Sequence, residues 1–492
     1  MRYKRPDLFT LLVISLGIFS PVVAASAQLQ TRPWVGAARH NISVQNQNSS
    51  AKSKAKAPEV FDLAQQIYKT SGAAIWPGFD FSRYSRLQEN SDASQLRFTS
   101  QPNNPSPTIF MVVGDDYFLS HSLEEGLGIT FHEAFHGFER DAERPGAKWR
   151  YENAFLVAEY PETSARNNAL VRVESLILFS ALQETGRSSL KNKLRQFITV
   201  RKLRQSEMEQ RFVEFEKGAE SNEGLAEYAG TRAVVAGIDA VKRKRLAAAF
   251  KNSDSRAYLL EKFATLKSIT QAGRNARIRY YYSGAAQGFL LDRLLDDWKT
   301  RIQMNGSVLQ DLVEEAANPV MSKQMSVEAI LSTYGYETLL KEEEAAATRK
   351  EIERRTLLDS MLSQPGRSYV IDVSALGSMG EMRSFDPMNV VMVGKDKRVH
   401  TRMLQVGEGD IFSANFAQPV VADFESHKYL TTVKPDQKQE IIVDGVSLNP
   451  GKPNELQFRK KLTITSEGFK FEAQSGTVLV TDKAVVVKVT AP

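Results

Sequence analysis

One stretch constrains this chain more than any other: Gly126 to Glu139, GLGITFHEAFHGFE. Read at helical periodicity, Leu127, Phe131, Phe135 and Phe138 give it an apolar surround suited to burial. His132 and His136 then stand at i and i+4, so both imidazoles leave the same face. Two imidazoles so placed suit one metal ion, at Zn–N distances of about 2.0–2.1 Å. Glu133 lies about 100° round the helix. That sets its carboxylate beside such an ion, placed to deprotonate a water rather than to ligate. The fold must therefore bury this helix and bring a further ligand to it, because catalytic zinc keeps about three protein ligands and one open position.

The six histidines are His40, His121, His132, His136, His400 and His427. None follows His136 until His400, which excludes a third histidine close behind the motif. A carboxylate from a later helix is the other solution. Asn222-Glu223-Gly224-Leu225-Ala226-Glu227-Tyr228 offers two, again at i and i+4. One can bind metal while the other takes the ring N–H of a ligand histidine. Glu159 and Glu174 are the rivals: Glu159 abuts Tyr160-Pro161, a helix-ending pair, and Glu174 has no carboxylate one turn on.

H-E-x-x-H with a later N-E-x-x-x-E resembles the gluzincin branch of the zincin metallopeptidases, over the stretch from Thr108 to Arg293. The resemblance implies an α+β, zincin-like catalytic domain in which a mixed sheet precedes the active-site helix. It implies one Zn2+ held by His132, His136 and Glu223, with Glu133 as general base and Glu227 orienting a histidine. The gap from His136 to Glu223 is longer than is usual in that family. Helices expected over Ser164–Thr185 and Ser188–Lys217, joined at Gly186, fill it as a helical hairpin insertion. Thr108–Val113 reads as a buried strand, Asp115-Asp116 as its turn, and Tyr117–Ser120 as an edge that pairs with an extended peptide.

Arg279-Tyr280-Tyr281-Tyr282-Ser283-Gly284-Ala285 runs into a helix ending near Leu291. Some gluzincin aminopeptidases carry a tyrosine three residues before such a Gly-Ala. Tyr281 matches that position, implying a phenol that donates to the oxyanion; Tyr280 and Tyr282 compete with it.

The remaining chain sets the context. A basic start, an apolar run from Leu8 to Val23 and Ala25-Ser26-Ala27 read as a signal peptide over residues 1–27. Residues 28–58, rich in Gln, Asn, Ser and Ala, read as a disordered basic linker. The chain's formal charge is +6. The leader supplies +2 (Arg2, Lys4 and Arg5 less Asp7) and the linker +5 (Arg32, Arg39, Lys52, Lys54 and Lys56), so the rest carries −1. A nucleic-acid-binding core is thereby disfavoured. The chain has no cysteine, which excludes thiolate zinc sites and leaves stability to core burial.

Residues 59–338 are expected to form the metallohydrolase domain and 339–363 a charge-rich connecting helix. Residues 364–492 alternate short β-rich runs with turn residues and read as an all-β, sandwich-like domain. His400 and His427 there read as structural. The expectation is an exported (periplasmic or extracellular) zinc peptidase acting on a peptide or protein, without a membrane segment after signal cleavage. The competing expectation is a metal-free binding or scaffold protein on a decayed fold of the same kind.

Overall fold

The structure is a computed structural model that describes residues 56–89, 93–101, 103–105, 108–141, 146–157, 159–268, 276–317, 325–386, 389–449 and 453–492. The expected signal peptide and nearly all of the linker lie outside these residues. Among them, no helix is long and apolar enough to cross a membrane. The chain is a mixed α+β protein with a C-terminal β region. It divides into two compact units: one takes the described residues up to Asn153 and Arg166–Leu340, the other Ala154–Ala165 and Lys341–Pro492.

The helical unit opens with α1 (Ala57–Ile75) and α2 (Phe81–Tyr84). Three strands follow, β1 (Ser85–Glu89), β2 (Ser94–Thr99) and β3 (Ile109–Gly114), as a sheet of order β1-β2-β3. Both pairings are antiparallel, so the expected mixed sheet is not what forms. The connections explain it: short links join neighbours directly, whereas a parallel pair needs a crossover of roughly a dozen residues or more.

A second correction concerns Tyr117. Asp115 to Ser120 is not a turn and an edge strand but a short helix, α3. Its first residues, Asp115 and Asp116, are acidic, which suits a helix N-terminus. The Asp115 carboxylate also accepts from the backbone N–H groups of Ala57 at 2.8 Å and Ser94 at 3.1 Å. These bonds tie the start of α3 to α1 and β2.

The motif helix is α4 (Leu123–Glu139). Ser122 and Glu125 form a reciprocal capping box at its start. Every residue from Thr130 to Glu139 is buried, the polar His132, Glu133, His136 and Glu139 along with the phenylalanines. Behind it, Trp76 is the hub of an aromatic core, with ring centroids 5.1 Å from Phe135, 5.3 Å from Trp298 and 5.7 Å from Trp149. Its indole N–H donates to Gln303 Oε1 at 3.0 Å, so the buried polar tip is satisfied.

Next come α5 (Ala165–Gln183), α6 (Arg187–Ser206) and α7 (Gln210–Ala219). The expected second arm of the hairpin is thus two helices. Glu207 sits at the break, its carboxylate held by Arg166 through two bonds of 2.6 Å. A π-helical turn, Glu220–Gly224, leads into α8 (Leu225–Lys242). The unit continues through α9 (Ser255–Phe263), α10 (Ile278–Leu291), α11 (Trp298–Asn305), α12 (Leu309–Ala317) and α13 (Val327–Thr333). The long α14 (Tyr336–Leu362) carries the chain into the second unit.

Glycines let the site helices meet. A Cβ on Gly230 of α8 would stand 2.4 Å from the Gly128 carbonyl oxygen of α4. One on Gly224 would stand 2.6 Å from the Gly284 Cα of α10. Larger residues would force α4, α8 and α10 apart.

In the second unit, strands between Arg367 and Val489 form an eight-stranded and a seven-stranded sheet. Neighbours are antiparallel except for one pair, Ala484–Val489 against Arg367–Asp372. One apolar core lies between the sheets, with Tyr369 of one stacked edge-on against Phe469 of the other at 5.5 Å. The segment Ala154–Ala165 belongs here rather than with the motif helix. Phe155 packs against Phe385 at 5.3 Å, and Glu159 pairs with Arg398 at 3.2 Å.

Candidate metal centre

Three side chains from two segments converge inside the helical unit. His132 and His136 come from α4 and Glu223 from the π turn; all three are buried. His136 Nε2 lies 3.1 Å from His132 Nε2 and 3.3 Å from Glu223 Oε2. His132 Nε2 to Glu223 Oε2 is 3.5 Å. Three ligands about 2.05 Å from one tetrahedral ion would stand about 3.3 Å apart. The triangle has that size, so the group could hold a metal ion. The π turn matters because it widens one turn of helix where Glu223 must reach α4, and such turns recur at functional sites.

Each ligand is backed by another group. His136 Nδ1 lies 3.0 Å from Glu139 Oε2. His132 Nδ1 faces Glu227 Oε2 at 3.5 Å, and Glu227 Oε1 in turn binds Lys262 Nζ at 2.7 Å. Glu223 keeps Oε2 toward the histidines while its Oε1 accepts from Arg277 at 2.5 Å and from Asn222 at 3.1 Å. Carboxylates behind ligand histidines fix the ring and raise its basicity. Glu139 and Arg277 were not among the residues singled out from the sequence. Glu139 had a readable signal, the i+3 spacing from His136; Arg277 had none.

The charges follow from this packing. Burial would push the His132 imidazolium toward the neutral form, but Glu223 and Glu227 beside it push its pKa up to about 10. His136 is likewise raised against its burial by Glu223 and Glu139. Despite burial, Arg277 and the two histidines hold Glu223 well below the ordinary carboxylate range. Lys262 and His132 bring Glu227 down to about 2 despite its burial. The pocket thus favours positive charge where the three ligand atoms point.

Glu133 is buried with Oε1 3.9 Å from His132 Nε2, beside the triangle and outside it. Burial raises its pKa, with the two histidines opposing. Of the three tyrosines, Tyr281 is the one at the centre. Its ring stacks on His132 at 5.6 Å and 10°, and its hydroxyl accepts from Arg277 at 3.0 Å. Burial and the nearby Glu223 push its phenol well above the ordinary value. Tyr280 instead donates to Glu216 at 3.0 Å, and Tyr282 lies under Lys262 at 5.6 Å.

The rival carboxylates are engaged elsewhere. Glu159 lies in the β unit. Glu174 belongs to a buried arginine network in the helical unit: Arg201 binds it at 3.0 Å and Arg204 at 2.5 Å. Arg201 also grips Glu220 through two bonds of 2.8 Å, and Arg204 grips Glu216 at 2.6 and 2.8 Å. His400 is buried in the β unit with neither ring nitrogen hydrogen-bonded.

No known protein family, curated protein or solved structure matches this chain. The functional reading therefore rests on the site itself.

Proposed function

We propose that the protein is a zinc-dependent hydrolase of the zincin type, with gluzincin-like ligands, and that it cleaves amide bonds in peptides or proteins. The observation that carries this reading is the triangle of His132 Nε2, His136 Nε2 and Glu223 Oε2, with edges of 3.1 to 3.5 Å and a carboxylate that is not one of its corners. An ion there supplies Lewis acidity and a water with its pKa lowered to about 7.

The chain's own groups do the rest. Glu133 takes the proton of the attacking water and passes it to the leaving amine nitrogen. Its burial favours that traffic, because a carboxyl raised above its ordinary value is a stronger base toward the water proton. Tyr281 stands beside His132, its oxygen accepting from Arg277 and its hydroxyl meeting Glu223; turned from Glu223 to a substrate, that hydroxyl is the donor for the developing oxyanion. The exposed side chains of Ile109 and Val112 on β3, an edge strand of the small sheet, suit an extended peptide added as a further strand. The leader-like N-terminus supports an exported location.

The test is a zinc-loaded Glu133→Gln protein. The amide is nearly isosteric and no ligand changes, so metal content should stay at the wild-type level. Turnover of a mixed peptide library should fall by roughly 10²–10⁴-fold. Wild-type turnover in that variant would end the general-base assignment, and a zinc-loaded wild type that cleaves no peptide would end the peptidase reading.

A further inference from the structure

Arg277 stands at the start of α10, 54 residues beyond Glu223, and is buried. Its guanidinium reaches three acceptors at once. Nη2 donates to Glu223 Oε1 at 2.5 Å, Nη1 to the Tyr281 hydroxyl at 3.0 Å, and Nε to Glu152 Oε1 at 2.7 Å. Glu152 is itself buried, and its other oxygen has no hydrogen-bond partner.

We infer that Arg277 is a positioning residue of the metal centre: it fixes which oxygen of Glu223 faces the histidines, and it orients the Tyr281 phenol against His132. The inference rests on the metal-site reading above and adds a residue to it. Three features of the geometry carry it. With Oε1 of Glu223 held by Arg277 and Asn222, only Oε2 is left toward His132 and His136. The carboxylate is then restricted to one ligand atom, which keeps a coordination position for water. The phenol oxygen accepts from Arg277 at 3.0 Å while its hydroxyl meets the Glu223 carboxylate, so the guanidinium, the phenol and the carboxylate are held as one network. A planar fork with fixed donor directions serves three acceptors where a lysine's point charge cannot.

Two variants test this. Arg277→Lys keeps the charge and removes the fork. Arg277→Met with Glu152→Gln removes one charge of each sign, so the buried balance is kept. Circular dichroism first establishes that each is folded. Zinc affinity is then measured by competition with a chromophoric chelator, and the cobalt-substituted proteins are compared by visible absorption. Both variants should bind zinc roughly 10–100-fold more weakly, as losses behind a ligand do. Their cobalt bands should weaken as Glu223 Oε1 swings onto the ion and raises its coordination number.

A merely structural ion pair predicts a lower melting temperature with wild-type zinc affinity and an unchanged cobalt spectrum. That result would overturn the inference while leaving the metal site standing. A wild-type protein that takes up neither zinc nor cobalt would overturn the metal reading itself, and this inference with it.

Discussion

Two buried carboxylate clusters lie in the helical unit, and they share one short segment. Glu220 and Glu223 stand three residues apart on the same π turn. Glu220 faces the arginine network, where Glu174, Glu216 and Glu220 meet Arg201 and Arg204, with Arg279 3.6 Å from Glu216. Carboxylates and guanidinium groups there balance, and the forks of Arg201 and Arg204 are filled by paired hydrogen bonds. Glu223 faces the other way. In its cluster Glu133, Glu139, Glu223 and Glu227 surround two imidazoles, and Arg277 and Lys262 bind only the far oxygens. Burying charges in deficit is costly. The difference teaches where a cation could be held: one cluster is closed by the chain's own arginines, and in the other His132, His136 and Glu223 converge on one point that no arginine or lysine reaches.

The largest expected effect on this comparison comes from opening the closed cluster. Glu220→Ala leaves Arg201 with Glu174 alone and takes the partners from both of its buried Nη groups. Breaking a buried pair from one side costs about 3–5 kcal/mol. Urea unfolding followed by tryptophan fluorescence should show that loss, since Trp76, Trp149 and Trp298 all lie in this unit. The loss should persist in chelator, because no metal is involved. A Glu220→Ala protein as stable as wild type would mean the two clusters do not differ in the way described.

A smaller effect is expected behind the ligands. Glu139→Ala removes the partner of His136 Nδ1 without touching the triangle. Zinc affinity should fall by roughly 10–100-fold, measured by competition with a chelator. Unchanged affinity would remove Glu139 from the support of the site.

The smallest effect contrasts these histidines with His400. There, burial and the nearby Arg398 bring the imidazole down to about 3, whereas His132 among carboxylates is pushed up to about 10. His400 is therefore neutral in the fold. A depressed histidine contributes stability that is fully present above the unfolded-state pKa of about 6.5 and declines as pH falls from there toward 3. The cost by pH 5 is about 2 kcal/mol. Urea midpoints of the β unit followed by circular dichroism should drop accordingly between pH 7 and 5. His400→Phe, which keeps a ring against Phe385, should remove most of that slope, and an unaltered slope would relieve His400 of the role.

How much of this was legible follows from the range of each interaction. His132, Glu133 and His136 are one helical turn, so spacing alone placed them. The pattern of Glu223 and Glu227 was visible too, but the π turn between Glu220 and Gly224 was not: Asn222 and Gly224 weaken a helix there without saying that it widens rather than ends. Strand runs such as Leu462–Thr465 and Val485–Val489 stood out by β-branched content and lie within observed strands. Tyr117–Ser120 misled because its aromatic and apolar residues suit a strand as well as a helix. What decided it was the pair of backbone bonds to Asp115, one of them from a residue far away in sequence. Arg277 and the segment Ala154–Ala165 depend wholly on tertiary contacts, which local periodicity does not encode.

The central claim is that the open cluster is completed by one divalent ion. Equilibrium dialysis of the purified protein against zinc, followed by metal analysis, tests it most directly, with Glu223→Ala and Glu174→Gln as companions. The account predicts one zinc per wild-type chain, the same for folded Glu174→Gln, and nearly none for Glu223→Ala. Zinc absent from the wild type, or retained in full by Glu223→Ala, would contradict it.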